Sequence, residues 1–215
     1  ILLQCGQKNA FFIVLKNPLS IIFVLICFNS FSQNEQIGNS LSFGFLNSRL
    51  SLLDRNIIWC DASIRGGRER GEIWHEEGKM LSKKNTFRDY ISAAKFLIEK
   101  KYTYKGGIVG YGGSAGGLTL GASVNHSPEL FLGMVIQVGF LDSLTTNLDH
   151  SLPLSLGELT EFSDAKGNAD HFKYIKSYSP YHNIKNMDYP NLLLVTNLKD
   201  VRVIFDEPTK FTAKL

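Results

Sequence analysis

The chain has 215 residues, enough for one domain with a sizeable core, and its 44% apolar and 20% charged composition is that of a globular protein. A net charge of +3, scattered along the chain, excludes a nucleic-acid footprint. Cys5, Cys27 and Cys60 are an odd set without metal-ligand spacing, so they read as buried thiols of a reducing compartment, and no Cys/His cluster offers a metal site.

Residues 1–17 hold two apolar patches, 1–3 and 11–15, which suit the arms of a hairpin. Residues 19–28 form an apolar run that imitates a signal-peptide core but is too short to span a bilayer as a helix. Their β-branched and aromatic content favours a buried strand. Residues 29–48, rich in Ser, Asn and Gly, read as a loop. A short helix is predicted over 49–53 and a strand over 57–62, followed by a polar loop over 65–84. Thr86 is placed to cap the next helix, with Asp89 three residues on. Phe87, Tyr90, Ile91, Ala94, Leu97 and Ile98 then recur at helical spacing as one core-facing stripe. The Lys83-Lys84 and Lys100-Lys101 pairs read as solvated helix flanks.

Gly106-Gly107 turn the chain into a β-type run that ends in Gly112-Gly113-Ser114-Ala115-Gly116. This is the Gly-x-Ser-x-Gly pattern of a nucleophile elbow. The serine must sit on a sharp strand-to-helix turn so that its hydroxyl projects clear of the sheet. Side chains two residues before and after it would collide there, so glycine is needed at 112 and 116. Ala115 N–H, at the helix start, then faces a developing oxyanion. The elbow helix runs over 115–125, with Gly117 and Gly121 allowing close approach to the sheet. A buried strand is predicted over 133–138, a long polar excursion over 141–190, and a further strand over 192–196. Strands alternating with helices predict an α/β fold with a mainly parallel sheet covered by helices.

A serine nucleophile needs a base, and the base an orienting acid. In α/β-hydrolases the acid follows a late strand, then comes the histidine. Asp200, just past the 192–196 strand, is the candidate acid. Asp206 and Glu207 fall at the next helix start and favour its dipole instead. No histidine follows Asp200. His75, His126, His150, His171 and His182 all precede it. His126 ends the elbow helix, and the other four read as surface residues of polar loops.

Several separated motifs resemble the prolyl oligopeptidase family of serine peptidases. They are Arg49 to Arg55, Ile64-Arg65-Gly66-Gly67, Trp74-His75, Gly78-Lys79 and Lys84-Asn85-Thr86-Phe87. The elbow, Ser177-Tyr178-Ser179-Pro180-Tyr181 and Asp188-Tyr189-Pro190-Asn191-Leu192-Leu193 complete the set. The resemblance implies an incomplete α/β-hydrolase domain over 41–215, with residues 1–40 matching poorly. It implies cofactor-free cleavage of short peptides under a β-propeller cap, in the cytoplasm, with no nucleic-acid or membrane partner and no statement about oligomeric state. Ser114 and Asp200 are then two members of the triad, and the sequence is expected to be a fragment whose histidine lies beyond Leu215 and whose propeller lies mostly before Ile1.

Ala115 after the serine is similar to the oligopeptidase B branch. So is Leu154-Ser155-Leu156-Gly157-Glu158, the segment where that branch binds a basic P1 side chain. The resemblance makes Glu158 the first of two P1-binding acids. The second position is Thr160, with Glu161 one place later, which weakens the expected Arg/Lys selectivity. Arg202 matches an arginine that binds the substrate backbone. The family's second oxyanion donor, a tyrosine after the 19–28 run, is missing from Asn29-Ser30-Phe31-Ser32-Gln33-Asn34. Two other readings stay open: a hydrolase fold without catalysis, motivated by the missing histidine and tyrosine, and a small-molecule esterase.

Overall fold

The structure, a computed structural model, describes residues 9–15, 47–152 and 155–215. A five-stranded sheet carries the chain. Its strands are β1 (Asn9–Leu15), β2 (Ile57–Ser63), β3 (Ile108–Gly113), β4 (Phe131–Gln137) and β5 (Asn191–Val195), in the order β2-β1-β3-β4-β5. β3, β4 and β5 run parallel, and β1 is antiparallel to both its neighbours. The expected mainly parallel α/β sheet is therefore present. β1 is the 11–15 patch. The hairpin arm expected at 1–3 and the strand expected at 19–28 lie outside the described residues.

The helices are α1 (Asn47–Leu53), α2 (Glu72–Glu76), α3 (Lys84–Glu99), α4 (Ala115–His126), α5 (Ser143–Leu148), α6 (Leu159–Phe162), α7 (Ala169–Lys176) and α8 (Asp206–Lys214). The 141–190 stretch, expected as a polar excursion, holds α5, α6 and α7. These are short, and they bury Leu144, Phe162, Ala165 and Ile175 against Leu118 of α4 and Phe87 of α3. Short helices of mixed composition carry little periodic signal, which is why the sequence pattern passes over them.

α3 behaves as its spacing requires. Phe87, Tyr90, Ile91, Ala94 and Leu97 are all buried, and Tyr90 stacks on Phe131 of β4 with ring centroids 5.8 Å apart. Each of the large aliphatic and phenyl side chains among them contributes roughly 1.5–3 kcal/mol through removal from water. The helix start differs from expectation. Its N-cap is Lys83, with no side-chain cap, and Thr86 lies inside the first turn. Thr86 Oγ1 donates instead to Arg65 O at 2.7 Å, while Asp89 accepts from Arg65 N, Nε and Nη2. The loop before α3 has carbonyl and guanidinium groups that need partners, and they take both side chains away from the helix end. Among the cysteines, Cys60 is described. It is free and buried, and burial pushes its thiol up to about 12.

A second correction concerns charge. Lys83, expected on a solvated flank, is 4% exposed, and His75, expected on the surface, is 3% exposed. Both reach Glu161 of α6. Lys83 Nζ lies 2.8 Å from Oε1 and His75 Nε2 lies 3.4 Å from Oε2. His75 Nδ1 is 2.8 Å from Gly66 O, and since a carbonyl only accepts, Nδ1 carries a proton. The pairing explains the burial, because a lysine or glutamate leaves water only with a partner.

Candidate active site

The elbow is built at the junction of β3 and α4. Ser114 has φ 52° and ψ −121°, a conformation that non-glycine residues rarely adopt. Two sets of backbone bonds hold it there. Its N–H is shared between Gln137 O and Val138 O, both at 3.1 Å, and its carbonyl accepts from Gly117 N, Leu118 N and Phe140 N. The glycine argument holds at Gly112, where a Cβ would sit 3.0 Å from Gly116 C and O. At Gly117 a Cβ would sit 2.4 Å from Gly139 Cα, so this glycine lets α4 approach the segment after β4. Gly121 faces Leu141 and Pro180 rather than the sheet.

Ser114 is partly exposed, and its Oγ has no hydrogen-bond partner among the described residues. Ala115 N–H, at the first position of α4, likewise has no acceptor among them. A helix start leaves its first amides unsatisfied, and here one of them adjoins the serine.

Asp200 lies in the loop between β5 and α8. Its Oδ1 accepts from Arg202 N at 2.8 Å and Val203 N at 3.0 Å, while Oδ2 has no hydrogen-bond partner among the described residues. The carboxylate is thus held from one side and open on the other, which suits an orienting acid. The strands set the frame. Val138 N–H, just past β4, donates to Val195 O at the end of β5 at 2.7 Å.

Glu158 and Arg202 are brought together. Burial pushes the Glu158 carboxyl up to about 7, Arg202 pulls it down, Glu161 pushes it up and Lys83 pulls it down. Thr160 is exposed, and Glu161 is occupied by Lys83 and His75, so neither supplies a second free acid beside Glu158.

None of the five histidines contacts Ser114 or Asp200. His126 is separated from Ser114 by the length of α4, about 18 Å at the helical rise. His171 Nδ1 accepts from Asp164 N, and His182 sits against Asp142. The segment 29–34, which lacks the tyrosine of the family's second oxyanion donor, lies outside the described residues. Among the described residues no group of three or more His, Cys, Asp or Glu is arranged to hold a metal ion. No helix among them is long and apolar enough to cross a membrane.

Asp142, with no signal in the sequence, and Glu207, expected only to favour a helix dipole, are both 0% exposed. Glu207 accepts from Asp142 N at 2.8 Å and Thr146 Oγ1 at 2.7 Å, so it serves more than the dipole of α8. Asp142 pairs with Lys210 and lies 3.3 Å from His182 Nδ1. Burial lowers the His182 pKa against the opposing pull of Asp142. Acid-to-partner spacings of 40 and 68 residues along the chain leave no local sequence signature.

A serine raised on a strained strand-to-helix turn, over a parallel sheet, with an acid after a later strand, defines an α/β-hydrolase. Solved structures of that fold agree. Oligopeptidase B from Leishmania major superposes with a TM-score of 0.75 at 41% identity, covering 78% of this chain and 23% of that one. Oligopeptidase B from Trypanosoma brucei, solved with covalently bound antipain, gives 0.71 at 41% identity, covering 74% and 22%. Residues 44–215 match the prolyl oligopeptidase family, and the chain belongs to it. Protease 2 of Moraxella lacunata is 47% identical over 167 residues, 78% of this chain and 24% of that protein. Dipeptidyl aminopeptidase BI of Pseudoxanthomonas mexicana is 38% identical over 178 residues, 83% and 24%. The chain thus spans about a quarter of the length of these relatives.

Proposed function

We infer that this chain carries the nucleophile and acid of a serine oligopeptidase that cleaves short peptides, after basic residues, in the cytoplasm. The observation that carries the reading is Ser114, strained on its elbow with Oγ open and Ala115 N–H beside it. Ser114 Oγ attacks the scissile carbonyl and gives its proton to a histidine. That histidine is supplied by a part of the protein outside residues 1–215 and is oriented by Asp200. The carbonyl oxygen, now negative, is received by Ala115 N–H. The tetrahedral adduct collapses to an acyl-enzyme as the histidine returns the proton to the leaving amine, and water repeats the sequence. Glu158 meets the basic P1 side chain, since a half-buried carboxylate pairs well with a guanidinium or ammonium. Arg202 holds the substrate backbone.

Labelling of the full-length protein with a fluorophosphonate tests this. Ser114 is expected to be modified and Ser114→Ala to abolish labelling; an unlabelled Ser114 in folded protein sinks the reading. Removing a triad member leaves about 10³–10⁴-fold catalysis over water. Residues 1–215 alone are therefore expected to show no measurable cleavage of Arg- or Lys-containing peptides.

The lack of a hydrogen bond between Ser114 and any histidine among the described residues favours a second reading, a hydrolase fold kept for binding. Hydrolysis by the full-length protein separates the two. Turnover of aryl esters without turnover of basic peptide amides would instead indicate an esterase.

A further inference from the structure

We propose that residues 138–142 brace Ser114 against both flanks of the loop that carries Asp200, and that Glu207 is the positioning residue that closes the brace. The inference rests on the reading of Ser114 and Asp200 given above. The segment leaves the end of β4, and its alternate amides go to three different places. Val138 N–H donates to Val195 O, the last residue of β5, at 2.7 Å. Phe140 N–H donates to Ser114 O at 3.1 Å, and Val138 O in turn accepts Ser114 N–H. Asp142 N–H donates to Glu207 Oε2 at 2.8 Å. Val195 stands just before the Asp200 loop and Glu207 just after it. One five-residue segment therefore spaces the nucleophile from both ends of the acid loop.

Two features mark this as more than ordinary packing. Val138 is β-branched and has φ 41°, a conformation that persists only where the surroundings over-determine it. The bonds to Ser114 and Val195 do so. Glu207 is a fully buried acid whose two oxygens are both used, one by Asp142 N and the other by Thr146 Oγ1. The charged groups around it are the Asp142 carboxylate and Lys210, with His182 on the other Asp142 oxygen. Glu207 touches no candidate catalytic atom. It acts by fixing where the segment ends relative to α8, and a misplacement of 1 Å in such geometry costs about 10²-fold in rate.

The test uses the full-length protein with Glu207→Ala, Glu207→Asp and Glu207→Gln. Alanine removes the contact, and aspartate shortens the reach in a milder change that keeps the charge. Glutamine repeats both contacts, its carbonyl accepting Asp142 N–H and its amide donating to Thr146 Oγ1. For alanine, kcat is expected to fall about 10²-fold while KM stays within about twofold. Aspartate should show a smaller loss, and glutamine should restore kcat. Hydrogen exchange on the same proteins should quicken in residues 138–142 and 196–205 for alanine, and stay at the wild-type rate for glutamine. Unchanged kcat and exchange in the alanine and aspartate variants overturn the proposal. So does a kcat loss without that local change, or exchange that quickens throughout the domain. A wild-type protein without turnover defeats the reading of Ser114 and Asp200, while the exchange rates still decide whether the brace exists.

Discussion

At the scale of single residues, the ionisable groups that matter are those the fold hides. Burial raises the Glu207 carboxyl from 4.5 to about 7, against the pull of Thr146, Asp142 N–H and Lys210. The folded protein then holds a proton that the unfolded chain releases. The resulting stability is fully present below about 4.5 and is lost as pH rises toward 7. Glutamine mimics the protonated form, so Glu207→Gln is expected to be more stable than wild type at pH 8, by on the order of 1 kcal/mol or more. The margin should shrink at pH 5, measured as denaturation midpoints at the two pH values. Glu158 obeys the same sign with a different readout. It is raised to about 7, so its charge is present above that pH and lost below it. For peptides with Arg or Lys at P1, kcat/KM is expected to drop below pH 7 more steeply than for peptides with a neutral P1. In Glu158→Gln the two pH profiles should coincide. Little of this was legible in the sequence. Ser114 and Asp200 announce themselves through local rules, a glycine-spaced elbow and a position after a strand. Glu207 looks like any acid at a helix start, because the groups that bury it lie 61 and 65 residues away.

At the scale of elements, α3 was readable because one face of it must be apolar over several turns, and α4 because the elbow pattern must run on into a helix. The loop before α3 was not, because its order comes from contacts to distant groups. Thr86 and Asp89 bind it through Arg65, and Lys83 ties it to α6 through Glu161. That last pair joins residues 78 positions apart and is nearly dry, with side chains 5% and 15% exposed. Lys83→Met keeps the length of the side chain and removes its charge, taking the ammonium away from a Glu161 carboxylate that is 15% exposed. A loss of roughly 3 kcal/mol is expected, as for other broken buried pairs. Lys83 also pulls the Glu158 pKa down. The same variant should therefore shift the acid limb of the kcat/KM profile for basic substrates to higher pH. An unmoved profile would mean that the α6 network does not reach Glu158.

At the scale of the molecule, the parallel strands β3, β4 and β5 follow from the alternation of strand and helix in the sequence. The antiparallel pairing of β1 between β2 and β3 does not, since a short apolar patch, 11–15, says nothing about its neighbours. Ser114 and the Asp200 loop stand at the same ends of the parallel strands β3 and β5, with β4 between them, which is the ordinary place for chemistry on an open sheet.

β5 is the last strand of the described sheet, and along it Leu193 is 57% and Val195 is 43% exposed. Leu198 and Val201 continue the apolar surface into the loop. An uncovered strand of this kind is a template for another chain, because its outer amides and carbonyls can extend the ladder. The purified 215-residue chain should self-associate as its concentration rises, visible as a growing scattering mass in size-exclusion chromatography. Leu193→Lys should suppress that growth by setting a charge on the strand. Handling the chain in solution is therefore a problem of colloidal stability before it is one of enzymology.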